Sequence, residues 1–168
     1  MQARDLEADI ITYSSVISAC ENGGEWTLAL ELMRRMDLAR VDADDITCSA
    51  AISVCEKAAE WTMALELLGM MVQRSLKRTT ISYNAAISAC GCGGEWTRAL
   101  ELLDDMLVSM VRASTITYNS AICACEKGGD WDRALELLDC MEQRVVKIDT
   151  ITFNAIINVC AKGGQWIT

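Results

Sequence analysis

The sequence predicts an all-α fold, an α-solenoid of stacked helix–turn–helix units, and three observations lead there. Tryptophans stand at Trp26, Trp61, Trp96, Trp131 and Trp166, at a constant step of 35 residues. Cys20, Cys55, Cys90, Cys125 and Cys160 keep the same step, and so do Ile11, Ile46, Ile81, Ile116 and Ile151. Between these markers the apolar residues recur at helical spacing, and the chain has no proline to interrupt a helix. Self-similarity at a fixed period of this length marks a repeat array, in which a unit buries its apolar face only by stacking on its neighbours.

The units divide just before a recurring I-T-Y phrase, into 10–44, 45–79, 80–114 and 115–149, with a partial fifth at 150–168. Residues 1–9 read as the end of an upstream unit, so both ends are expected to be cuts through a longer array. In the first unit Tyr13, Val16, Ile17 and Cys20 fall on one face of a helix. Asn22, Gly23 and Gly24 follow, and glycine there supplies the left-handed residue that ends a helix. Trp26 then opens a second apolar stripe through Ala29, Leu30, Met33 and Met36. A short linker, Arg40 to Asp44, leads to the next unit. Later units repeat the scheme, with paired glycines at 93–94, 128–129 and 163–164. The second unit carries Ala58 and Ala59 instead, which predicts a tighter turn or a longer first helix. One helix pair cannot bury both stripes, whereas stacked pairs can.

Composition narrows the function classes. Of 168 residues 52% are hydrophobic, enough for a sizeable core, which in an array is a continuous stripe rather than a ball. No apolar run approaches the ~18 residues of a membrane-spanning helix. The opening MQARDLEADI holds no apolar signal-peptide core, so no targeting peptide is visible. Nine cysteines fit a reducing compartment. Five recur at one place in the unit, where the nearest equivalent is one repeat away, about 10 Å by ordinary helix spacing. A disulfide needs Cα atoms within roughly 7 Å, so these read as small buried hydrophobes. Cys90 and Cys92 are too few ligands for zinc in a chain without histidine, so no metal site is expected. A tryptophan can stack on a base, yet beside so apolar a stripe it reads as a core anchor, and the ALELL runs read as packing. The sequence offers no nucleophile–base pair, metal cluster or phosphate loop. The chain is therefore not read as an enzyme, and no cofactor, small-molecule substrate or membrane partner is expected.

At this period the residues Ile116-Thr117-Tyr118-Asn119, Gly128-Gly129, Ala134-Leu135-Glu136-Leu137-Leu138 and Met141, with their counterparts in the other units, resemble the pentatricopeptide repeat family. The likeness covers essentially the whole chain. The 34-residue tetratricopeptide repeat starts with tryptophan and carries a late proline, whereas here tryptophan opens the second helix and the proline is absent. Two features depart from the family. Its Gly and Pro near the end of each unit are replaced, as in residues 73–79 and 143–149, and a tryptophan after the paired glycines is not its common pattern. The resemblance implies a right-handed superhelix and binding of single-stranded RNA, one base per repeat. It also implies service in organellar RNA processing, stability, editing or translation, and with it a mitochondrial or plastid location.

The same resemblance assigns base reading to the residue after I-T-Y and the last residue of the unit. The pairs are Ser14 with Asp44, Ser49 with Thr79, Asn84 with Ser114, and Asn119 with Asp149; Asn154 begins a fifth. On the first helix Ile116, Asn119, Cys123 and Lys127 lie beside the packed stripe of Tyr118, Ala121, Ile122 and Cys125, so the first helices are expected to line the inner surface. An asparagine offers a base edge both donor and acceptor. Ile11, Ile46, Ile81, Ile116 and Ile151, one turn earlier, can press on the base plane, and Lys57, Lys127 and Lys162 recur where phosphates would pass. The plain structural alternative is that short polar residues near helix starts are N-caps. A net charge of −9 is unlike the basic balance of most RNA binders. The first-helix segments, however, hold only Glu21, Asp45, Glu56 and Glu126 against Lys57, Lys127 and Lys162, and most of the remaining acid falls in second helices, turns and linkers. The alternative function is a protein–protein scaffold that docks a basic partner on an acidic convex face.

Overall fold

The computed structural model describes residues 9–162. Residues 1–8 of the expected upstream unit, the glycines at 163–164 and Trp166 lie outside the described residues. Among the described residues nine α-helices and no strand follow one another: α1 Ile10–Cys20, α2 Trp26–Leu38, α3 Asp45–Lys57, α4 Trp61–Gln73, α5 Thr80–Gly93, α6 Trp96–Val108, α7 Thr115–Gly128, α8 Trp131–Gln143 and α9 Thr150–Lys162.

Local chemistry sets the boundaries. Asp9, Asp44, Thr79 and Ser114 hold extended backbone just before α1, α3, α5 and α7, and each side chain accepts the N–H three residues on. That satisfies a donor the helix start would otherwise leave open. The first helices end alike. Glu25, Glu60, Glu95 and Asp130 donate their N–H to the carbonyls of Cys20, Cys55, Cys90 and Cys125, at 2.9–3.2 Å. Gly94 and Gly129 are the left-handed residues of these turns, at φ +85° and +69°. Ala59 takes the same place at φ +57°. The expected tighter turn or longer helix in the second unit is therefore not found. α3 stops at Lys57, whereas α5 and α7 run to Gly93 and Gly128, and an alanine bears a conformation that L residues resist.

The helices stack as an α-solenoid. α1, α3, α5, α7 and α9 pack in succession, and α2, α4, α6 and α8 each pack on the first helix of their own unit and on that of the next. Small side chains bring the first helices close: Ala85, Ala86, Ala89, Ala121 and Ala124 are buried, and a Cβ on Gly91 would stand 3.2 Å from that of Ala124. The stack thus closes on the first-helix side, which becomes the inner layer. Tyr83, Ile87 and Cys90, and Tyr118, Ile122 and Cys125 in the next unit, form its core with Ala99, Leu103 and Met106 of α6.

All nine cysteines are free. Burial pushes the thiols of Cys55, Cys90 and Cys125 up to about 11, as befits small core residues. Cys90 is buried and Cys92 exposed, so the two do not share a pocket. Trp26, Trp61, Trp96 and Trp131 do begin the second helices, but they are partly rather than fully buried. Trp61 and Trp96 lie against the turn of the following unit. A Cβ on Gly93 would stand 2.2 Å from Trp61 Cδ1, and one on Gly128 2.6 Å from Trp96 Cδ1. Only glycine admits an indole that close.

Candidate nucleic-acid interface

The five isoleucines that repeat with the unit occupy the second helical position of α1, α3, α5, α7 and α9, and all are exposed: Ile11 69%, Ile46 68%, Ile81 65%, Ile116 66% and Ile151 62%. The neighbouring Thr47, Ser82, Thr117 and Thr152 are buried. The arrangement inverts the usual preference, branched aliphatics outside and hydroxyls inside. Between Ile116 and Ile151 an open groove of about 360 Å³ runs along the first-helix layer, lined also by Asn119, Cys92, Cys123 and Lys127.

The second member of each expected reading pair is a structural cap. Asp44, Thr79 and Ser114 cap α3, α5 and α7, and the Asp149 carboxylate accepts the Thr152 N–H at 2.9 Å. That N–H, with the Thr152 and Asn119 side chains, holds the Asp149 carboxyl below its ordinary value. For Asp44, burial raises the carboxyl but the Thr47 hydroxyl and N–H outweigh it, so it too is lowered. Both are anionic acceptors at neutral pH. The plain capping alternative thus describes these residues, without using all the lone pairs of the two carboxylates.

The first members divide by type. Ser14 and Ser49 turn their hydroxyls back onto their own helix, to the carbonyls of Ile11 at 3.1 Å and Asp45 at 2.7 Å. Asn84 and Asn119 reach forward into the next unit. Thr117 Oγ1 donates to Asn84 Oδ1 at 2.6 Å, and Thr152 Oγ1 to Asn119 Oδ1 at 2.7 Å. Asn119 Nδ2 also donates to Asp149 Oδ1 at 3.3 Å, so the structure brings together both members of the fourth pair. Asn154 is exposed. The forward threonines were missed in the sequence, although the Thr or Ser of every I-T-Y phrase recurs at the same period as the isoleucines. Of the three lysines, Lys162 pairs with Glu126 at 2.8 Å, Lys127 donates to the Cys92 carbonyl, and Lys57 is exposed.

Family models match along the chain: a pentatricopeptide repeat domain at residues 1–43 and 32–93, a PPR repeat at 81–111 and the PPR repeat family at 113–162. No curated protein matches in the comparison of sequences. Among solved structures the chain is similar to the pentatricopeptide repeat protein PPR10 in complex with an 18-nucleotide psaJ RNA element, at TM-score 0.80 and 22% identity, over 94% of this chain and 23% of that one. It is equally similar, at TM-score 0.80 and 14% identity, to the PPR domain of Arabidopsis thaliana protein-only RNase P 1 in complex with tRNA, over 94% of this chain and 83% of that one. A. thaliana nuclear proteinaceous RNase P 2 matches at TM-score 0.79 and 16% identity, over 92% and 35%. The chain spans less than a quarter of the length of PPR10.

Proposed function

The chain belongs to the pentatricopeptide repeat family, and on that premise we propose that it binds single-stranded RNA along its first-helix surface, one base per repeat. The units would begin at residues 10, 45, 80, 115 and 150. The observation that carries the reading is the row of exposed isoleucines. An aliphatic side chain recurring in water at each unit wants a flat apolar cover, and a base supplies one. The groove between Ile116 and Ile151, with Asn119 in its lining, has the apolar walls and the amide such a base would meet. Similar folds solved with a psaJ RNA element and with tRNA support the same choice. Lys57, Lys127 and Lys162 are proposed phosphate contacts, the latter two by exchanging their present partners. A role in organellar RNA processing, stability, editing or translation follows from the family.

If the family's rules carry over, Ser14 with Asp44 favours guanine, Asn84 with Ser114 cytosine and Asn119 with Asp149 uracil, while Ser49 with Thr79 leaves its base open. The preferred core is G-N-C-U, read 5′ to 3′ along the chain. Stacking contributes about 1–3 kcal/mol per base, so four bases give a gross ~4–12 kcal/mol, and association costs about 4 kcal/mol or more. This chain alone is therefore expected to bind at micromolar strength at best. The test is Asn119→Thr, which keeps the helix but removes the amide. In a panel of oligonucleotides differing at the fourth base, preference should move from uracil towards guanine, by ~1–3 kcal/mol if one base-edge contact is exchanged. Equal loss for all four bases, or none, would pass the lead to a scaffold binding a basic protein on the acidic outer face.

A further inference from the structure

Resting on the RNA reading, we propose that Thr117, and in lesser degree Thr152, are positioning residues that fix which edge of the upstream asparagine faces the base. Thr117 is fully buried in α7. Its hydroxyl oxygen accepts the Ser114 N–H at 2.9 Å, and its single proton goes to Asn84 Oδ1 at 2.6 Å. The carbonyl of the half-buried Asn84 is thereby turned into the α5–α7 interface, and the amide NH2 is left on the open side. Asn84 then presents donors and no acceptor.

The consequence is a choice between pyrimidines. Cytosine N3 is an acceptor, whereas uracil N3 carries a proton. An asparagine held NH2-outward, with no carboxylate acceptor beside it, accommodates the first and opposes the second. Released, the amide can turn over and accept from uracil, so the preference decays. At Asn119 the orientation is held twice, by Thr152 at 2.7 Å and by donation to the Asp149 carboxylate at 3.3 Å, which can only accept. Asp149 also supplies the acceptor that the N3 proton of uracil needs. Where the reading residue is Ser14 or Ser49, the side chain is too short to reach the next unit and folds back on its own helix. The latch thus exists only in the asparagine units, and a residue of one repeat sets the base choice of the repeat before it.

The experiment uses the full chain, labelled with 15N, and oligonucleotides with a G-N-C-U core varied at the third or the fourth base. Thr117→Val removes the hydroxyl at constant shape. It should shift the side-chain NH2 signals of Asn84 in the free protein and leave those of Asn119 in place. It should also lower the ratio of cytosine to uracil binding at the third base by at least about fivefold, the low end of what one base-edge contact gives. Fourth-base preference should be unchanged, Thr117→Ser should restore the third, and Thr152→Val should act more weakly on the fourth because Asp149 remains. An unchanged third-base ratio in Thr117→Val, or equal loss at both positions with no rescue by serine, overturns this inference alone. No base preference at any position in the unaltered chain overturns the RNA reading beneath it.

Discussion

Two tyrosines at the same place in successive units show how little identity at one residue settles. The Tyr83 hydroxyl donates to Asp105 Oδ2 at 2.6 Å, and Arg78 pairs with the same carboxylate, bonds Ser109 at 2.9 Å and lies 5.2 Å over the Tyr83 ring. One unit later Asp105 has become Cys140, Arg78 has become Ala113, and Ser109 has become Arg144. The Tyr118 hydroxyl is then buried without a hydrogen-bond partner among the described residues. An unsatisfied buried hydroxyl costs about 1–3 kcal/mol. Tyr118→Phe is therefore expected to raise the unfolding free energy by ~1 kcal/mol, and Tyr83→Phe to lower it by at least as much, both read from urea denaturation. Equal losses in the two variants would show that Tyr118 has a partner after all. The repeating tyrosine was legible in the sequence as core. The difference between the two was not, because the hydroxyl's partners, Asp105 and Ser109, stand 22 and 26 residues away and only the helix pairing brings them to the ring. The caps at Asp44, Thr79, Ser114 and Asp149 were legible for the related reason that short polar residues recur there with the unit. The bonds from Thr117 to Asn84 and from Thr152 to Asn119 escaped because a hydroxyl after an isoleucine reads as an ordinary helix start.

At the scale of the element, the ends of the second helices carry the departure from the family's glycine. Arg40, Ser75, Met110 and Val145 stand one unit apart, and all have φ between +55° and +57°. Val41, Leu76, Val111 and Val146 each follow with an N–H bonded to the carbonyl five residues back, at 2.8–3.0 Å, the pattern that closes a helix through a left-handed residue. The geometry has been kept and its preferred residue lost, at roughly 1–2 kcal/mol per site, with β-branched Val145 the most strained. Val145→Gly is expected to stabilise by ~1 kcal/mol, seen as a rise in Tm. Gly128→Ala is expected to lower Tm, since its new Cβ meets the Trp96 ring at 2.6–2.7 Å. If both variants shift Tm the same way, the two ends are not governed by φ and by contact as argued. The paired glycines were legible as a turn because the second of them does that work. The first was not, because its partner is the tryptophan of the unit before.

For the whole molecule, the period, the two helices per unit and the stacking were open to sequence reasoning because an array repeats its own evidence. A feature that is ambiguous once is decided by five occurrences at one step. Direction of curvature was less direct, and follows from the small residues that bring the first helices together. The charge pattern bears on strength rather than on the choice of partner. With near-neutral first helices and a net −9 overall, the proposed RNA binding would displace few counterions, and its salt dependence should be shallow. The proposed RNA binding requires base selectivity by the first-helix surface. Its most direct measurement is selection by the intact chain from a randomised single-stranded RNA pool at low salt, with the bound fraction sequenced. The expected result is enrichment of a short core matching G-N-C-U, and its reduction towards the unselected pool when Asn84 and Asn119 are both replaced by alanine in a chain that keeps its helical circular dichroism. Enrichment of no motif, or of one that the double replacement leaves intact, would contradict it.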